Sequence, residues 1–187
     1  MISKKINLGN LIFILFYQNN GVISGLTRLQ KLIDIIRQEG EFIVESDYSP
    51  YDYGDFSQNV ADVLQVFMDN DWIIEEKIPF QENKVKKVLK LTEDGNKIGK
   101  ELYENLLSNE IKYFYTIDKF IKMEREDLIS YSYFWYPSTA IKSKIKSKIF
   151  KKKKISDSLD GILEDEYELI KSSSKSIKDL IRETWKY

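Results

Sequence analysis

Three apolar stripes at helical spacing, followed by a segment that alternates like a strand, constrain this chain more than any other feature. Apolar residues three and four positions apart lie on one face of a helix, so each stripe predicts a helix that buries one side. The stripes are Leu8, Leu11, Ile12, Leu15 and Phe16; Leu29, Leu32, Ile33 and Ile36; and Val60, Val63, Leu64 and Phe67. We therefore expect three helices packed around a common core.

A β-hairpin is predicted after the third helix. Residues 72–74 form an apolar strand candidate, and residues 85–91 alternate apolar side chains with lysines. Residues 81–83 predict the tip between them. Thr92 then predicts the N-cap of a further helix, because a hydroxyl can accept a hydrogen bond from the first turn.

Residues 42–44 are a short strand candidate, and residues 47–56 are expected to form a loop. This order predicts a mainly α (α+β) fold, a winged helix-turn-helix with a small antiparallel sheet plus a C-terminal helical extension. We expect the winged-helix domain at 1–108, aromatic-rich helices that pack on it or dimerise at 109–140, and a basic then acidic helical tail at 141–187.

Several short motifs lie far apart in the sequence. They are Leu26-Thr27-Arg28-Leu29-Gln30-Lys31-Leu32-Ile33, then Tyr51-x-Tyr53-Gly54-x-Phe56-Ser57, then Val60 and Leu64, then Asp71-Trp72-Ile73, then Leu91-Thr92-x-x-Gly95, and then Leu128-Ile129-x-Tyr131-x-Tyr133-x-x-Tyr136-Pro137 followed by Ser143 and Ile145. This set resembles the YwgA-like winged-helix proteins of bacteria and archaea and, more distantly, the Panacea domain of SocA-like antitoxins. The resemblance spans residues 5–145. The resemblance implies a winged-helix fold, but it implies no activity because the YwgA-like family has none established. The more distant resemblance to the Panacea domain implies a protein partner. Asp55 and Ser138 depart from the family pattern, which has proline and glutamate there.

The formal net charge of −1, from 29 basic and 30 acidic residues, conceals three strongly charged segments. Residues 142–154 contribute +8, residues 155–170 contribute −6, and residues 47–76 contribute −8 without one basic residue. The near-neutral total therefore does not exclude a nucleic-acid partner. It requires DNA to approach through the basic segments, because phosphate attraction is local.

The chain has no histidine and no cysteine, which excludes a Cys/His zinc site, a thiol nucleophile and an imidazole base. It also has no phosphate-binding glycine loop and no nucleophile elbow. Asp47, Asp52 and Asp55 cluster in the tyrosine-rich segment, but their spacing matches no cation-binding loop and favours a solvated loop. We therefore predict no catalytic residue, no metal site, no cofactor and no enzymatic activity.

The apolar run at residues 11–17 is shorter than the roughly 20 residues that span a bilayer, and no cleavage site follows it. We interpret it as a buried helix. The expectation is a cytoplasmic protein without a membrane partner, and the absence of cysteine agrees with a reducing compartment.

The third helix, the hairpin and the lysine-rich segment supply the candidate DNA contacts. In a winged helix the third helix faces base edges, where glutamine and asparagine can pair with adenine, and lysines neutralise phosphates. The candidates are Ser57, Gln58, Asn59 and Gln65; Lys84, Lys86, Lys87 and Lys90; and Lys142, Lys144, Lys146, Lys148, Lys151, Lys152, Lys153 and Lys154. The third helix has no basic residue, and a solvated helix or linker is the alternative interpretation of residues 142–154.

These observations favour a DNA-binding transcriptional regulator that contacts double-stranded DNA through the hairpin and the lysine-rich segment, with a homodimer as a further expectation. The alternative is a protein–protein interaction module, antitoxin-like or an accessory subunit. In that alternative, the acidic third helix and the tyrosine-rich residues 48–56 contact a protein partner. The charge of the third helix is the feature that separates the two hypotheses.

Overall fold

The computed structural model describes residues 4–39, 42–44, 47–52, 54–79, 84–147 and 149. Within them the chain has an α+β fold with five α-helices, one short 3₁₀ helix and three small sheets. None of the helices in these residues is both long and apolar enough to cross a bilayer. The acidic part of the tail and five predicted DNA contacts lie outside the described residues, the five being Lys148, Lys151, Lys152, Lys153 and Lys154.

The elements follow one another in a mixed order. The α-helices are α1 (Leu8–Gln18), α2 (Leu26–Glu39), α3 (Gln58–Asp69), α4 (Glu93–Lys122) and α5 (Arg125–Trp135). The strands are β1 (Lys4–Ile6), β2 (Val22–Ile23), β3 (Phe42–Val44), β4 (Tyr48–Tyr51), β5 (Gly54–Ser57), β6 (Ile73–Pro79) and β7 (Val85–Leu91). The 3₁₀ helix is Pro137–Ala140.

Helix α1 lies at the centre of the core. The side chain of Asn7 caps it by accepting hydrogen bonds from the amides of Gly9 and Asn10. The predicted stripe is confirmed, and Phe13 and Ile14 are buried as well, so the helix is covered on nearly every side.

Helix α2 buries two faces of different chemistry. Its predicted apolar stripe is confirmed, since Leu29, Leu32, Ile33 and Ile36 are all buried. The second face contacts α5 and β5 and is polar. Its buried polar residues are Arg28, Gln30, Lys31 and Asp34.

The segment at residues 47–56 is not a loop, and that expectation is wrong. It forms the antiparallel hairpin β4–β5, with Tyr48 opposite Ser57 and Tyr51 opposite Gly54. Gly54 has a φ of +95°, a conformation that suits glycine and reverses the chain. The predicted strand at residues 42–44 is confirmed as β3, which pairs in parallel with β1.

Ser57 caps helix α3, because its hydroxyl accepts a hydrogen bond from the amide of Val60 at 3.3 Å. The predicted hairpin is confirmed as β6–β7, with Ile73 opposite Leu91. The short strand β2 pairs with β7, so the three-stranded sheet has the order β2-β7-β6.

Helix α4 starts at the predicted cap Thr92, which accepts a hydrogen bond from the amide of Gly95, and runs unbroken to Lys122. Residue 108, the expected domain boundary, falls within this helix. Residues 141–145 form turns rather than a helix, and Ile145 and Ile149 pack against Ile129 and Tyr133 of α5.

Candidate functional site

Three of the four residues predicted on α3 face solvent. Gln58, Asn59 and Gln65 are exposed. Ser57 is fully buried as the helix cap, so its prediction as a DNA contact is wrong: its hydroxyl is committed to the amide of Val60.

The exposed glutamines of α3 are held by carboxylates of the same helix. The Gln58 amide donates to Asp62 at 2.8 Å, and the Gln65 amide donates to Asp69 at 2.8 Å. A base approaching this face would therefore meet a carboxylate beside each amide, and DNA phosphates would be repelled.

The lysines of the β6–β7 hairpin are accessible but lie beside glutamates. Lys84, Lys86 and Lys87 are exposed. Lys87 pairs with Glu75 at 2.9 Å, and Lys90 pairs with Glu76 at 2.5 Å across the strands. Such surface pairs contribute at most about 1 kcal/mol, so they can exchange for phosphate at little cost.

The described part of the lysine-rich segment folds back onto the protein. The Lys144 amide donates to the Asp52 carbonyl at 2.8 Å, and its ammonium pairs with the Asp52 carboxylate at 2.7 Å. Ser143 is hydrogen-bonded to the hydroxyl of Tyr133 at 2.7 Å. Lys142 is exposed and Lys146 is half-buried. Residues 141–147 of the lysine-rich segment are therefore held against the β4–β5 region and α5 by the contacts of Lys144 and Ser143.

A cluster of charges, two of them fully buried and two half-buried, lies where α2, β5 and α5 meet. We call Lys31, Asp34, Arg37 and Asp55 the buried charge cluster. The Lys31 side chain is 1% exposed and that of Asp34 is 0% exposed, with 3.5 Å between the ammonium and Asp34 Oδ2. Arg37 donates to Asp34 Oδ1 at 2.9 Å. Two cations and two anions balance, but the pairing is incomplete.

Several polar atoms of this cluster are buried and have no hydrogen-bond partner among the described residues. They are Lys31 Nζ, Asp34 Oδ2, Arg37 Nε and Asp55 Oδ1. Leaving such an atom unsatisfied costs about 1–3 kcal/mol, so a concentration of them at one point is unusual for a purely structural contact.

Burial shifts the proton affinities of these groups. The pKa of Lys31 is lowered by burial, against which the nearby Asp34 carboxylate acts. The pKa of Asp55 is raised by burial and by the negative charge of Asp34. Burial likewise raises the pKa of Tyr48 and of Tyr133. All these shifts favour the neutral form of the buried group.

Gly54 packs closely against the Lys31 and Tyr133 side chains at the cluster. A Cβ added to Gly54 would lie 2.7 Å from Lys31 Nζ and 2.9 Å from Tyr133 Cε1. Lys31 Nζ lies 5.7 Å from the centre of the Tyr133 ring, a cation–π distance. The contact is tight, so β5 and α5 hold Lys31 in place.

The side chain of Gln30 ties β5 to α2 beside the cluster. Its Nε2 donates to the Ser57 carbonyl at 2.8 Å, and its Oε1 accepts from the Ser57 amide at 3.0 Å. The Gln30 carbonyl in turn accepts a hydrogen bond from the hydroxyl of Tyr48 at 3.1 Å. One residue of α2 thus fixes both strands of the hairpin and the start of α3.

A carboxylate at the end of α2 binds two tyrosines of the motif that begins at Leu128. Glu39 Oε1 accepts from the hydroxyls of Tyr131 at 2.9 Å and Tyr136 at 2.6 Å. Burial and the hydrogen bond to Glu39 raise the pKa of Tyr136. These bonds hold α5 and the segment after it against α2.

Sequence reasoning listed none of the buried charges as functional residues. The signal was present in the motifs, because Gln30, Lys31, Gly54, Ser57 and Tyr133 come from three motifs that the fold brings together. Of the three aspartates considered for a cation, Asp52 pairs with Lys144 and Asp55 belongs to the buried charge cluster. Within the described residues, no group of three or more acidic side chains is arranged to hold a metal ion.

Comparison with known proteins identifies no family. No protein-family model matches the chain, and no curated protein sequence matches it. Among solved structures, the chain is similar to the circadian clock associated protein Pex from Anabaena, at 14% sequence identity and a TM-score of 0.36. The match covers 61% of this chain and 87% of that one.

Proposed function

We propose that this protein is a winged-helix DNA-binding protein that acts as a transcriptional regulator. The observation that supports the proposal most is the sheet order. Strand β2 follows α1, helices α2 and α3 come next with β3 and the β4–β5 hairpin between them, and the β6–β7 hairpin then returns so that β2 pairs with β7 rather than with β6. A winged helix requires this connection, because the hairpin must project beside the third helix while its second strand closes the sheet.

In this proposal the β6–β7 hairpin provides the main attraction for DNA. Its second strand begins beside two exposed lysines, Lys84 and Lys86, and Lys87 and Lys90 follow on the same strand. Lys87 and Lys90 pair with glutamates of β6, and these surface ion pairs contribute little energy. Helix α3 contributes Gln58, Asn59 and Gln65 as polar contacts, against the repulsion of its own carboxylates.

The test is the salt dependence of duplex binding by the full chain, compared between two matched double variants. Lys84→Gln with Lys86→Gln removes two hairpin cations, and Lys97→Gln with Lys100→Gln removes two exposed cations of α4. Each lost phosphate contact reduces the slope of log K against log salt by about 0.9. We expect the hairpin variant to lose up to about two such contacts and the α4 variant to keep the wild-type slope. Equal slopes in both variants would overturn the proposal for the hairpin.

The second candidate is a protein–protein interaction module, and one observation favours it. The outward face of α3 combines Asp62 and Asp69 with the exposed apolar side chain of Val66, which is 52% accessible. An acidic face with an apolar centre suits a basic protein surface better than a polyanion.

Replacing one carboxylate separates the candidates, because the two predict opposite signs. Asp62→Asn removes a negative charge from the exposed face of α3. If α3 faces DNA, duplex binding becomes tighter; if α3 faces a basic protein, capture of that partner from the native host becomes weaker. A variant that changes neither interaction would exclude α3 from both interfaces.

A further inference from the structure

The buried charge cluster is joined to α3 by two connections. The first is covalent: Asp55 lies on β5, and β5 ends at Ser57, the cap of α3. The second is the pair of hydrogen bonds between the Gln30 side chain and the backbone of Ser57. Because Gln30 and Lys31 are consecutive residues of α2, the cluster and this clamp share one element.

The cluster also has no room for a ligand at its closest point. Gly54 packs so near to Lys31 and Tyr133 that no Cβ fits between them. Buried polar atoms of Lys31, Asp34 and Asp55 therefore lie at the contact between β5 and α2 without hydrogen-bond partners. A change in the charge of these groups therefore changes how tightly β5 packs against α2. We call this packing the seating of β5.

We propose that the buried charge cluster is a proton-linked device that sets the position of the N-terminus of α3. Gain or loss of the Asp55 proton changes how well β5 seats against Lys31. Gln30 and Ser57 transmit that change to the first turn of α3, the part that would face base edges. Only this last step, from α3 to DNA affinity, rests on the proposed function.

The groups that face Asp55 come from three elements. Helix α2 contributes Lys31, Asp34 and Arg37, strand β4 contributes the phenol of Tyr48, and α5 contributes the phenol of Tyr133. Asp34 repels the ionised form of Asp55, while Lys31 and Arg37 attract it. Burial outweighs the two cations and raises the pKa of Asp55.

The sign of the pH effect follows from that direction. While Asp55 is protonated, β5 packs on α2 without a desolvated anion. As the pH rises through the raised pKa of Asp55, the packed state must hold an ionised carboxylate, which the unseated state can hydrate. Seating of β5 is therefore strongest at low pH and weakens as Asp55 ionises, by no more than about tenfold per pH unit for one proton.

The amides of Ser57 and Val60 report this seating without any DNA. The Ser57 amide is bonded to Gln30, and the Val60 amide is bonded to the Ser57 hydroxyl. We would measure their hydrogen-exchange protection by NMR on the full chain between about pH 4 and pH 7, after correction for the intrinsic exchange rate. The wild type should lose protection as the pH rises.

Two variants of hairpin carboxylates isolate the responsible proton. Asp55→Asn should abolish the pH dependence and raise protection at neutral pH. Asp52→Asn is the matched control, because Asp52 lies in the same hairpin region but pairs with Lys144 rather than with the cluster. It should keep the wild-type pH dependence. A pH dependence unchanged in Asp55→Asn, or absent from the wild type, would overturn the proposal.

The transmission step has its own variant. Gln30→Met keeps the length of the side chain and removes both hydrogen bonds to Ser57. The pH response of the Ser57 and Val60 amides should then become smaller, because only the covalent connection through β5 remains, while the Tyr48 and Tyr51 amides of β4 keep theirs. If the response of α3 is unchanged in this variant, Gln30 does not transmit it.

The DNA arm distinguishes failure of the device from failure of the proposed function. Wild-type duplex affinity at fixed salt should change with pH, and Asp55→Asn should make it flat. Protection that responds to pH in a protein that does not bind duplex would retain the device and refute the DNA function. Duplex binding by a protein whose amide protection does not depend on pH would refute the device and retain the DNA function.

Discussion

Helices α1 and α2 are equally buried, yet they bury different chemistry. The buried side chains of α1 are all apolar, whereas α2 buries Arg28, Gln30, Lys31 and Asp34 beside its apolar stripe. Apolar burial gives stability without direction, because it depends on area alone. Buried hydrogen bonds and charges fix particular partners, in this case Ser57 through Gln30. Helix α1 therefore organises the core, and α2 positions the hairpin and α3.

The largest effect in this comparison should come from α1. Phe16 is fully buried in the core, so Phe16→Ala should lower the free energy of unfolding by about 4 kcal/mol through lost burial and an unfilled cavity. Val66→Ala on the exposed face of α3 is the control and should change it by less than about 0.5 kcal/mol. Urea unfolding followed by tryptophan fluorescence measures both. A loss below about 1 kcal/mol for Phe16→Ala would show that α1 is not the centre of the core.

Asp34 should give the next largest effect, for an electrostatic reason. Asp34→Asn leaves Lys31 buried without its nearest counter-charge, which should cost about 3 kcal/mol. The double variant Lys31→Met with Asp34→Leu removes both charges and should be more stable than Asp34→Asn. Urea unfolding of the two proteins gives the comparison. If the double variant is the less stable one, the charges stabilise the fold as a pair and the polar face of α2 is not a cost.

Tyr136 should give the smallest of the three effects and a pH signature. Tyr136→Phe removes one hydrogen bond to Glu39 and should lower the free energy of unfolding by about 1 kcal/mol at neutral pH. Because the pKa of Tyr136 is raised in the folded protein, its contribution is present below the ordinary tyrosine pKa and is lost as the pH rises further. The variant should therefore lose less stability than the wild type at alkaline pH. Parallel pH profiles would exclude this role.

Local patterns predicted the elements that carry a regular apolar stripe or a regular alternation. Helices α1 and α3 followed from apolar spacing, β7 from its alternation, and the start of α4 from the cap at Thr92, all of which depend only on neighbouring residues. The hairpin β4–β5 was missed because Pro50, Gly54 and its tyrosines are residues typical of turns. Its pairing depends on α2, which lies outside that segment.

The buried charges were missed for a different reason. Lys31 and Asp34 lie off the apolar stripe of α2, and periodicity assigns such positions to solvent. They are buried because β5 and α5 cover that face, and α5 begins more than 85 residues later in the chain. In the sequence, the only indication that α2, β5 and α5 are related is that each contains part of one of the short motifs. Likewise, nothing local indicated that Lys144 would pair with Asp52 instead of remaining free for phosphate.

The proposed DNA function is the central claim, and the salt dependence of duplex binding by the unmodified full chain tests it most directly. Four lysines lie on β7 or directly before it. If they contact phosphates, log K should fall linearly with log salt, with a slope of about −2 to −4. Absence of duplex binding at low salt would contradict the claim and leave the protein–protein interaction module as the function of this surface.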